Sequence, residues 1–449
     1  MRRHPIVRAA CVVVALMLPW GAARAVTIKD VHTPGGLDAW LVEDHSLPVV
    51  TVDVAFRGGA ALDPADKEGL ANLVCDLLDE GAGDLDSSAY QGKLEDMASA
   101  LDFDAGEDEI SISLHSVTAN LEPSLALLKL ALTKPRFDAS AVARVKGQLA
   151  ASLERDQHQP RAIADRAWRT AMFGDHPYAR RLRGTPESIA GIGPDDMRAF
   201  VRDRFAKDAL MIAVVGDIAP DRLARLLDDT LGPLPDHAAA GQTAPLVVRD
   251  KGEVLLNRMA IPQSVVEFGQ PGIKRDDPDW YAALLVTEIL GGGGLTARLS
   301  EEVREKRGLA YSVYAGLDPM QDGGVIAGGV GTENASLGQS IALIRGEWKR
   351  MHDAGPTAEE LAHAKTYLTG SFPLSLDSTG RIAGILIAME RDRLGIDYLN
   401  RRDKLIDGVS LADAKRVARR LLDPAALTFV VVGSPPDLPG AIELKPGGS

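Results

Sequence analysis

A polar stripe on one predicted helix is the first place where this sequence could do chemistry. Over residues 63–83, leucine and valine recur at the three- and four-residue spacing of an apolar helix face. On the opposite side, at 100° per residue, lie Asn72, Cys75, Asp76 and Asp79. A thiol and carboxylates on one stripe could hold a metal ion, and the thiol could also act as a nucleophile.

Neither chemistry is well supported by the residues nearby. A nucleophilic thiol needs an acidified pKa and a base, whereas Asp76 and Asp79 would raise the pKa of Cys75. Zinc helices place two histidines one turn apart, and no two of the nine histidines here are three to five residues apart. The histidines are His4, His32, His45, His115, His158, His176, His237, His352 and His363. We therefore expect a polar helix face rather than a metal or thiol site.

A second unusual feature is a run of four glycines in the other half of the chain. These are Gly291, Gly292, Gly293 and Gly294. No Gly-Lys-(Ser/Thr) follows them, so the run is not a phosphate-binding Walker loop. Glycines would let the chain bend closely around an extended ligand, and a flexible joint is an equally good alternative. A helical pattern containing Leu295, Leu299 and Val303 follows the run, and Leu309–Leu317 then alternates like a strand.

Composition and the first residues limit where the protein works. The 449 residues are 45% hydrophobic and 25% charged, with a formal net charge of −13, which argues against a nucleic-acid partner. Two arginines, an apolar run over 9–20 and the small-residue site Ala23-Arg24-Ala25 predict a signal peptide, residues 1–25, cleaved after Ala25. No second apolar stretch approaches 18 residues, so we expect an exported, periplasmic protein without a membrane span.

The elements that would position these residues occur twice. Residues 191–216 align without a gap with 408–433 at an offset of 217, and 141–153 resemble 360–372 at an offset of 219. Matching residues include Gly191/Gly408, Asp196/Asp413, Arg202/Arg419, Lys146/Lys365 and Leu149/Leu368. Two matches at nearly one offset indicate duplication of a domain of about 215 residues.

Each copy reads as an α+β domain: a mainly antiparallel sheet with helices packed on one face. In the first half, Val26–Val31, Trp40–Glu43, Val49–Phe56 and Glu109–Val117 are predicted strands, and a turn at 106–108 makes the last one half of a hairpin. Helical patterns cover 64–80, 88–101, 120–132 and 138–156. The predicted domains are 26–232 and 248–434, joined by a Pro-, Gly- and Ala-rich linker at 233–247 and followed by a tail at 435–449.

Three segments resemble the pitrilysin/insulinase-like zinc peptidases. Residues 57–83, RGGAALDPADKEGLANLVCDLLDEGAG, resemble the segment in which that family carries a strand end and then a His-x-x-Glu-His helix. HPYARRLRGTPESI, at 176–189, and GGGGLTARLSEEVREKRGLAYSV, at 291–313, resemble the family too. The resemblance covers nearly the whole chain after residue 25, including the duplication, and it implies the two-domain fold of the mitochondrial-processing-peptidase type.

The resemblance also implies what is missing. In the family the two histidines bind zinc and the glutamate acts as general base. The matching positions here hold Asn72, Cys75 and Asp76, and Glu154 stands where a further zinc ligand is expected. We therefore expect a degenerate site with no metal in this chain, in which Glu154 is a solvated helix residue, and zinc in a partner subunit that carries the complete motif.

Arg304 and Tyr311 match a pair that relatives carry in the half without zinc. Without the resemblance, Arg304 would be interpreted as a member of a surface salt bridge and Tyr311 as a half-buried tyrosine of a strand. The resemblance implies that Arg304 binds a substrate carbonyl and Tyr311 stabilises the oxyanion, with Tyr314 a weaker candidate. It implies a non-catalytic subunit that binds unfolded peptides and pairs with a homologous zinc-binding subunit. The alternatives are a stand-alone peptide-binding or scaffold protein and an independent hydrolase with an unrecognised site.

Overall fold

A computed structural model describes residues 26–239, 241–292 and 294–445. The predicted signal peptide at 1–25 lies outside the described residues, as does Gly293. The strands are β1 Lys29–His32, β2 Asp38–Glu43, β3 Val49–Arg57, β4 Gly81–Ala82, β5 Leu85–Asp86, β6 Ala100–Ala105, β7 Glu109–Val117, β8 Leu210–Gly216, β9 Val254–Arg258, β10 Gln263–Pro271, β11 Ala310–Pro319, β12 Gly324–Glu333, β13 Thr428–Gly433 and β14 Ile442–Glu443.

Helices occupy much of the remaining described chain. The α-helices are α1 Leu70–Leu78, α2 Ser87–Asp96, α3 Leu121–Thr133, α4 Ala139–Asp156, α5 Pro160–Phe173, α6 Pro186–Gly191, α7 Pro194–Arg204, α8 Pro220–Leu231, α9 Trp280–Thr287, α10 Leu337–Ala354, α11 Ala358–Ser371, α12 Thr379–Arg391, α13 Tyr398–Asp407 and α14 Leu411–Leu421. None of the described helices is long and apolar enough to cross a membrane.

Two six-stranded sheets organise the molecule. The first sheet has the order β1-β2-β8-β3-β7-β6 and the second β11-β12-β10-β13-β9-β14. Neighbouring strands are antiparallel except for β2 with β8 in the first sheet, and for β13 with β9 and β9 with β14 in the second. The predicted α+β fold with mainly antiparallel sheets is therefore confirmed. The short strand β14 also shows that part of the predicted tail at 435–449 belongs to the second sheet.

The two sheets repeat one plan. The order β2-β8-β3-β7-β6 corresponds strand for strand and direction for direction to β9-β13-β10-β12-β11. The helices α7 and α14 begin and end at positions that differ by the offset read from the sequence. This correspondence is the structural expression of the predicted duplication.

The halves exchange one helix each. On one face, each sheet packs against helices of its own half. On the other face, α12 from the second half covers the first sheet through Ala383, Leu386 and Ile387. In return, α5 from the first half lies on the second sheet, with Ile163 and Trp168 among its buried residues. The prediction of helices on one face of each sheet is therefore incomplete. Each sheet has a second apolar face, and a helix from the other half of the chain buries it.

Two predicted helices differ from the observed structure. The pattern over 64–80 is a 3₁₀ turn, Ala65–Lys67, followed by α1 after the left-handed Gly69, whose φ is 85°. The pattern after the glycine run is a 3₁₀ turn at Gly294–Thr296 and a π-helix at Ser300–Glu305. Apolar spacing indicates which face is buried, but it does not distinguish a regular α-helix from turns with i+3 or i+5 hydrogen bonds.

Candidate functional site

A buried ion pair fixes the start of the helix that carries the polar stripe. Asp63 accepts a hydrogen bond from the Ala71 backbone N–H at 3.0 Å, so it caps α1 from outside. Its other carboxylate oxygen lies 3.3 Å from an Arg204 guanidinium nitrogen, and Arg204 also donates to the carbonyls of Gly58 and Gly59. The two side chains are 1% and 7% exposed. This contact ties the turn after β3 to the start of α1.

The stripe itself is poorly suited to a metal or to thiol chemistry. Cys75 is 2% exposed, and burial followed by the charge of Asp76 raises its pKa well above the ordinary value. Burial also raises the pKa of Asp76, against the opposing effect of Arg183. The Oδ1 atom of Asn72 is buried and has no hydrogen-bond partner. The low acidity of the buried thiol agrees with the expectation that Cys75 is not a nucleophile.

A cavity of about 380 Å³ lies beside this stripe, and Cys75, Asp76 and Asp79 line it together with residues of β6 and α4. Glu154, the remaining candidate ligand, does not line the cavity. Its side chain is 66% exposed and lies 3.9 Å from His158. In the part of the chain that the structure describes, no three His, Cys, Asp or Glu residues are grouped so that they could hold a metal ion. These donors do not fit zinc, because the Asn72 amide is a poor zinc ligand, Cys75 is only 2% exposed and the Glu154 side chain points to solvent.

The first two glycines of the run are the last residues of a π-helix, Glu288–Gly292, which packs against β11. A Cβ atom on Gly291 would come within 2.5 Å of the Ala315 backbone nitrogen, and one on Gly292 within 2.5 Å of a Glu288 carboxylate oxygen. Gly291 is therefore required for close packing against the backbone of β11, whereas at Gly292 the neighbouring atom is the end of a side chain that can shift. Their predicted contact with substrate stays a prediction, as does that of Gly293 and Gly294.

Glu288 is a buried acidic residue that the sequence analysis did not single out. Its Oε1 atom is buried without a hydrogen-bond partner, and burial raises the pKa of the carboxyl group. A lone acidic residue inside the apolar run WYAALLVTEIL was the available indication. The π-helical turn is what brings this carboxylate back against Gly292.

Arg304 and Tyr311 come together in the structure. The Arg304 guanidinium carbon lies 5.2 Å from the centre of the Tyr311 ring, and the Arg304 Nε atom lies 3.3 Å from a Glu305 carboxylate oxygen. The Arg304 side chain is 36% exposed and Tyr311 is 85% exposed. The π-helix and the left-handed Gly308, with a φ of 61°, turn the chain so that Arg304 stacks on the following strand.

Tyr314 occupies a different position. Its ring lies over Gly329 on the face of the second sheet that α5 covers, and the residue is 51% exposed. Burial, followed by the nearby charge of Glu267, raises the pKa of Tyr314. The register shift between Ala310 and Val313 separates the two tyrosines, so Tyr314 does not share the stacked arrangement of Arg304 and Tyr311.

Two family models and a curated relative match this chain. Residues 39–186 match the family model described as insulinase (peptidase family M16), and residues 191–368 match the model of the peptidase M16 inactive domain. A Helicobacter pylori protein named non-peptidase homolog YmxG is 30% identical over 332 residues, which are 74% of this chain and 77% of that protein. This chain belongs to peptidase family M16. The resemblance inferred from the sequence is therefore confirmed.

Solved structures of M16 proteins share the fold. A peptidase M16 inactive domain from Pseudomonas fluorescens superimposes with a TM-score of 0.86 at 29% identity and covers 94% of this chain and 100% of its own. The periplasmic protease PqqL from Escherichia coli gives a TM-score of 0.78 at 16% identity, over 91% of this chain and 46% of its own. At that identity PqqL shares the M16 fold alone. The Helicobacter relative is named a non-peptidase homolog, and this M16 chain has Asn72, Cys75 and Asp76 in place of the His-x-x-Glu-His residues.

Proposed function

We propose that this M16 chain is an exported, non-catalytic subunit of a heterodimeric zinc peptidase. It binds peptide substrate and supplies Arg304 and Tyr311 to the zinc site of a homologous partner. The partner carries the His-x-x-Glu-His helix that this chain lacks, and the two close around an unfolded peptide. The proposed periplasmic location rests on the predicted signal peptide, and a neighbour of the same fold is a periplasmic protease.

One observation carries the proposal. The positions for zinc hold Asn72, Cys75 and Asp76, whereas Arg304 and Tyr311 lie stacked and accessible in the other half. An arginine–tyrosine stack at an exposed site is worth only about 0.5–1 kcal/mol, so stability alone is a weak reason for an 85% exposed tyrosine.

The two side chains suit the chemistry of peptide hydrolysis. The partner's zinc supplies Lewis-acid activation of the peptide carbonyl and of water. Tyr311 can donate its hydroxyl proton in a hydrogen bond to the oxyanion that forms on the carbonyl oxygen. Arg304 can donate to a second substrate carbonyl and hold the peptide in register. Donors that act on developing charge lower the barrier, so their loss appears mainly in kcat.

The test is reconstitution with the zinc subunit. The two chains are co-expressed, and cleavage of a fluorogenic peptide is followed for Tyr311→Phe and Arg304→Ala, with zinc content measured in each sample. We expect a fall in kcat of about 10²-fold for Tyr311→Phe with zinc retained, the usual effect of removing one oxyanion donor. Matched controls are Tyr367→Phe and Arg381→Ala, which change a 55% exposed tyrosine and an arginine with a 62% exposed side chain elsewhere.

A stand-alone binding or scaffold protein is the second candidate, and the non-peptidase name of the Helicobacter relative favours it. The two candidates differ in their partner. Affinity purification from the native periplasm should recover a zinc-containing M16 chain if the subunit proposal is correct. Recovery of this chain only with itself, together with unchanged kcat in the Tyr311 and Arg304 variants, would favour the scaffold.

A further inference from the structure

A further cavity, of about 230 Å³, lies between α12 and the face of the first sheet that α12 covers. Residues of β3, β6 and β7 form its floor, and Gly384, Ile387 and Ala388 of α12 form its roof. A Cβ atom on Gly384 would meet nothing within 4 Å, so the helix leaves open space at this point. Because α12 comes from the second half of the chain, both halves contribute to the cavity.

The duplication shows how this cavity arises. Helix α5 begins at Pro160 and α12 at Thr379, an offset of 219 residues, and each lies on the sheet of the other half. At this offset the three roof positions of α12 correspond to larger residues of α5: Asp165, Trp168 and Arg169. Trp168 is 7% exposed and packs against the second sheet. The second half therefore fills with side chains the position that the first half leaves open.

A carboxylate oxygen without a donor lies at one end of the cavity. Glu109 of β7 lines this end, and its Oε1 atom accepts a hydrogen bond from Arg391 Nη1 at 3.1 Å. Its Oε2 atom is buried and has no hydrogen-bond partner. A buried acceptor without a donor is costly, so this oxygen needs a donor that the described chain does not supply.

Two further carboxylates lie at the other end. Asp53 and Asp102 both pair across the sheet with Ser113, so the three side chains lie in one row on the same face. The Ser113 hydroxyl donates to Asp53 Oδ1 at 2.6 Å, and burial raises the pKa of Asp53 although this hydrogen bond opposes the shift. On β7, Ser113 and Glu109 are four residues apart, which places the two ends about 13 Å from each other along the strand.

The lining between the two ends is partly apolar. Ala55 of β3 and Ile387 of α12 pack together on one side, whereas Ser111 and Asp104 line the other side. Of the described residues that line the cavity, four are acidic and one, Arg391, is basic. The cavity therefore favours a cation over a neutral or anionic ligand.

We propose that this cavity binds a short aliphatic diamine, with one ammonium group at Glu109, the other between Asp53 and Asp102, and the methylene chain against the apolar side. An ammonium group has three donors and no acceptor, so it supplies the donor that Glu109 Oε2 lacks. A five-carbon diamine with a hydrogen bond at each end spans about the distance between the two rows. The proposal goes beyond the proposed function, because it assigns to this chain a ligand site that needs no partner subunit and that joins the two halves.

The experiment uses the chain from Val26 onward, without a zinc partner and at low salt, and measures binding by isothermal titration calorimetry. The ligands are 1,5-diaminopentane, 1-aminopentane and 1,5-pentanediol, which have the same carbon chain and two, one or no ammonium groups. We expect the diamine to bind at least about tenfold more tightly than the monoamine, because it makes charge-assisted hydrogen bonds at both ends. The diol should give no detectable binding.

A matched pair of variants locates the site. Gly384→Leu places a side chain in the cavity, whereas Gly346→Leu makes the same change on α10, where a Cβ atom also meets nothing within 4 Å. Both changes remove a glycine from a helix interior, which favours the helix. We expect Gly384→Leu to weaken diamine binding at least about tenfold and Gly346→Leu to leave it unchanged. If Gly384→Leu fails to fold, the ligand series still decides the question on the unaltered chain.

Three outcomes would overturn the proposal: no binding of the diamine at millimolar concentration, equal affinity for the diamine and either of the other two ligands, or equal affinity of the two leucine variants. Binding of calcium chloride that Gly384→Leu abolishes, with no binding of the diamine, would assign the cavity to a metal ion and also overturn it. Because neither a partner nor a peptide is present, this failure is separate from a failure of the proposed function, which is read from kcat of the reconstituted pair.

Discussion

Replacing Arg204 by methionine should destabilise the protein strongly and in a pH-dependent way. The guanidinium donates to the carbonyls of Gly58 and Gly59 and to Asp63, and both charged side chains are nearly inaccessible. The Arg204→Met variant leaves two carbonyls and a buried carboxyl group without their donor. Removal of one partner from a buried pair costs about 3–5 kcal/mol.

The pH dependence follows from the pKa of Asp63. Burial raises this pKa from the ordinary 3.8 to about 6, while the charge of Arg204 opposes the shift. For a carboxyl group with a raised folded pKa, the full stability is present below pH 3.8 and is lost as pH rises toward 6. Without Arg204 the pKa of Asp63 rises further, so the loss continues above pH 6, at about 1.4 kcal/mol per unit.

The assay is urea unfolding of the protein from Val26 onward at pH 5 and pH 8, followed by circular dichroism. We expect a larger loss in the free energy of unfolding for Arg204→Met at pH 8 than at pH 5. Arg202→Met on the same helix is the control, because its side chain is 67% exposed and its effect should stay within about 0.5 kcal/mol. Equal losses at both pH values, or a total loss below about 1 kcal/mol, would refute the reasoning.

Three further predictions test other parts of the structure. The pKa of Glu390 at the end of α12 is raised by burial to about 8, so the fold loses stability between pH 4.5 and 8. Glu390→Gln should raise the melting temperature at pH 9 and leave it nearly unchanged at pH 4, and an equal shift at both would contradict this. Cys75 should react with a thiol reagent at least about 100-fold more slowly in native protein than in urea, and equal rates would contradict its burial. The purified chain should retain well under one equivalent of zinc after gel filtration, and stoichiometric zinc by elemental analysis would contradict the poor fit of its donors.

Much of the fold follows from local sequence pattern. Ile110, Ile112 and Leu114 alternate with polar residues, and they lie buried on β7 as the period of two requires. The repeat at an offset of 217 residues was also predictive, because α7 and α14 begin and end at positions that differ by this offset. These features were predictable because one buried face dictates spacing within each element.

Other features depend on contacts distant in the sequence. The spacing of apolar residues in a helix does not show which sheet its apolar face covers, and α5 and α12 each cover the sheet of the other half. The zinc-motif positions and an exposed Glu154 were predictable from the sequence, whereas the burial of Cys75 required the packed structure. The stack of Arg304 on Tyr311 depends on a π-helix, whose i+5 hydrogen bonds leave no distinct apolar period.

The most direct test of the central claim is the turnover number of the zinc partner measured alone, with this chain, and with its Tyr311→Phe variant. The proposal predicts little turnover for the partner alone, full turnover with the unaltered chain, and a kcat lower by about 10²-fold with Tyr311→Phe at unchanged zinc content. Full turnover by the partner alone, or an unaltered kcat with Tyr311→Phe, would contradict it.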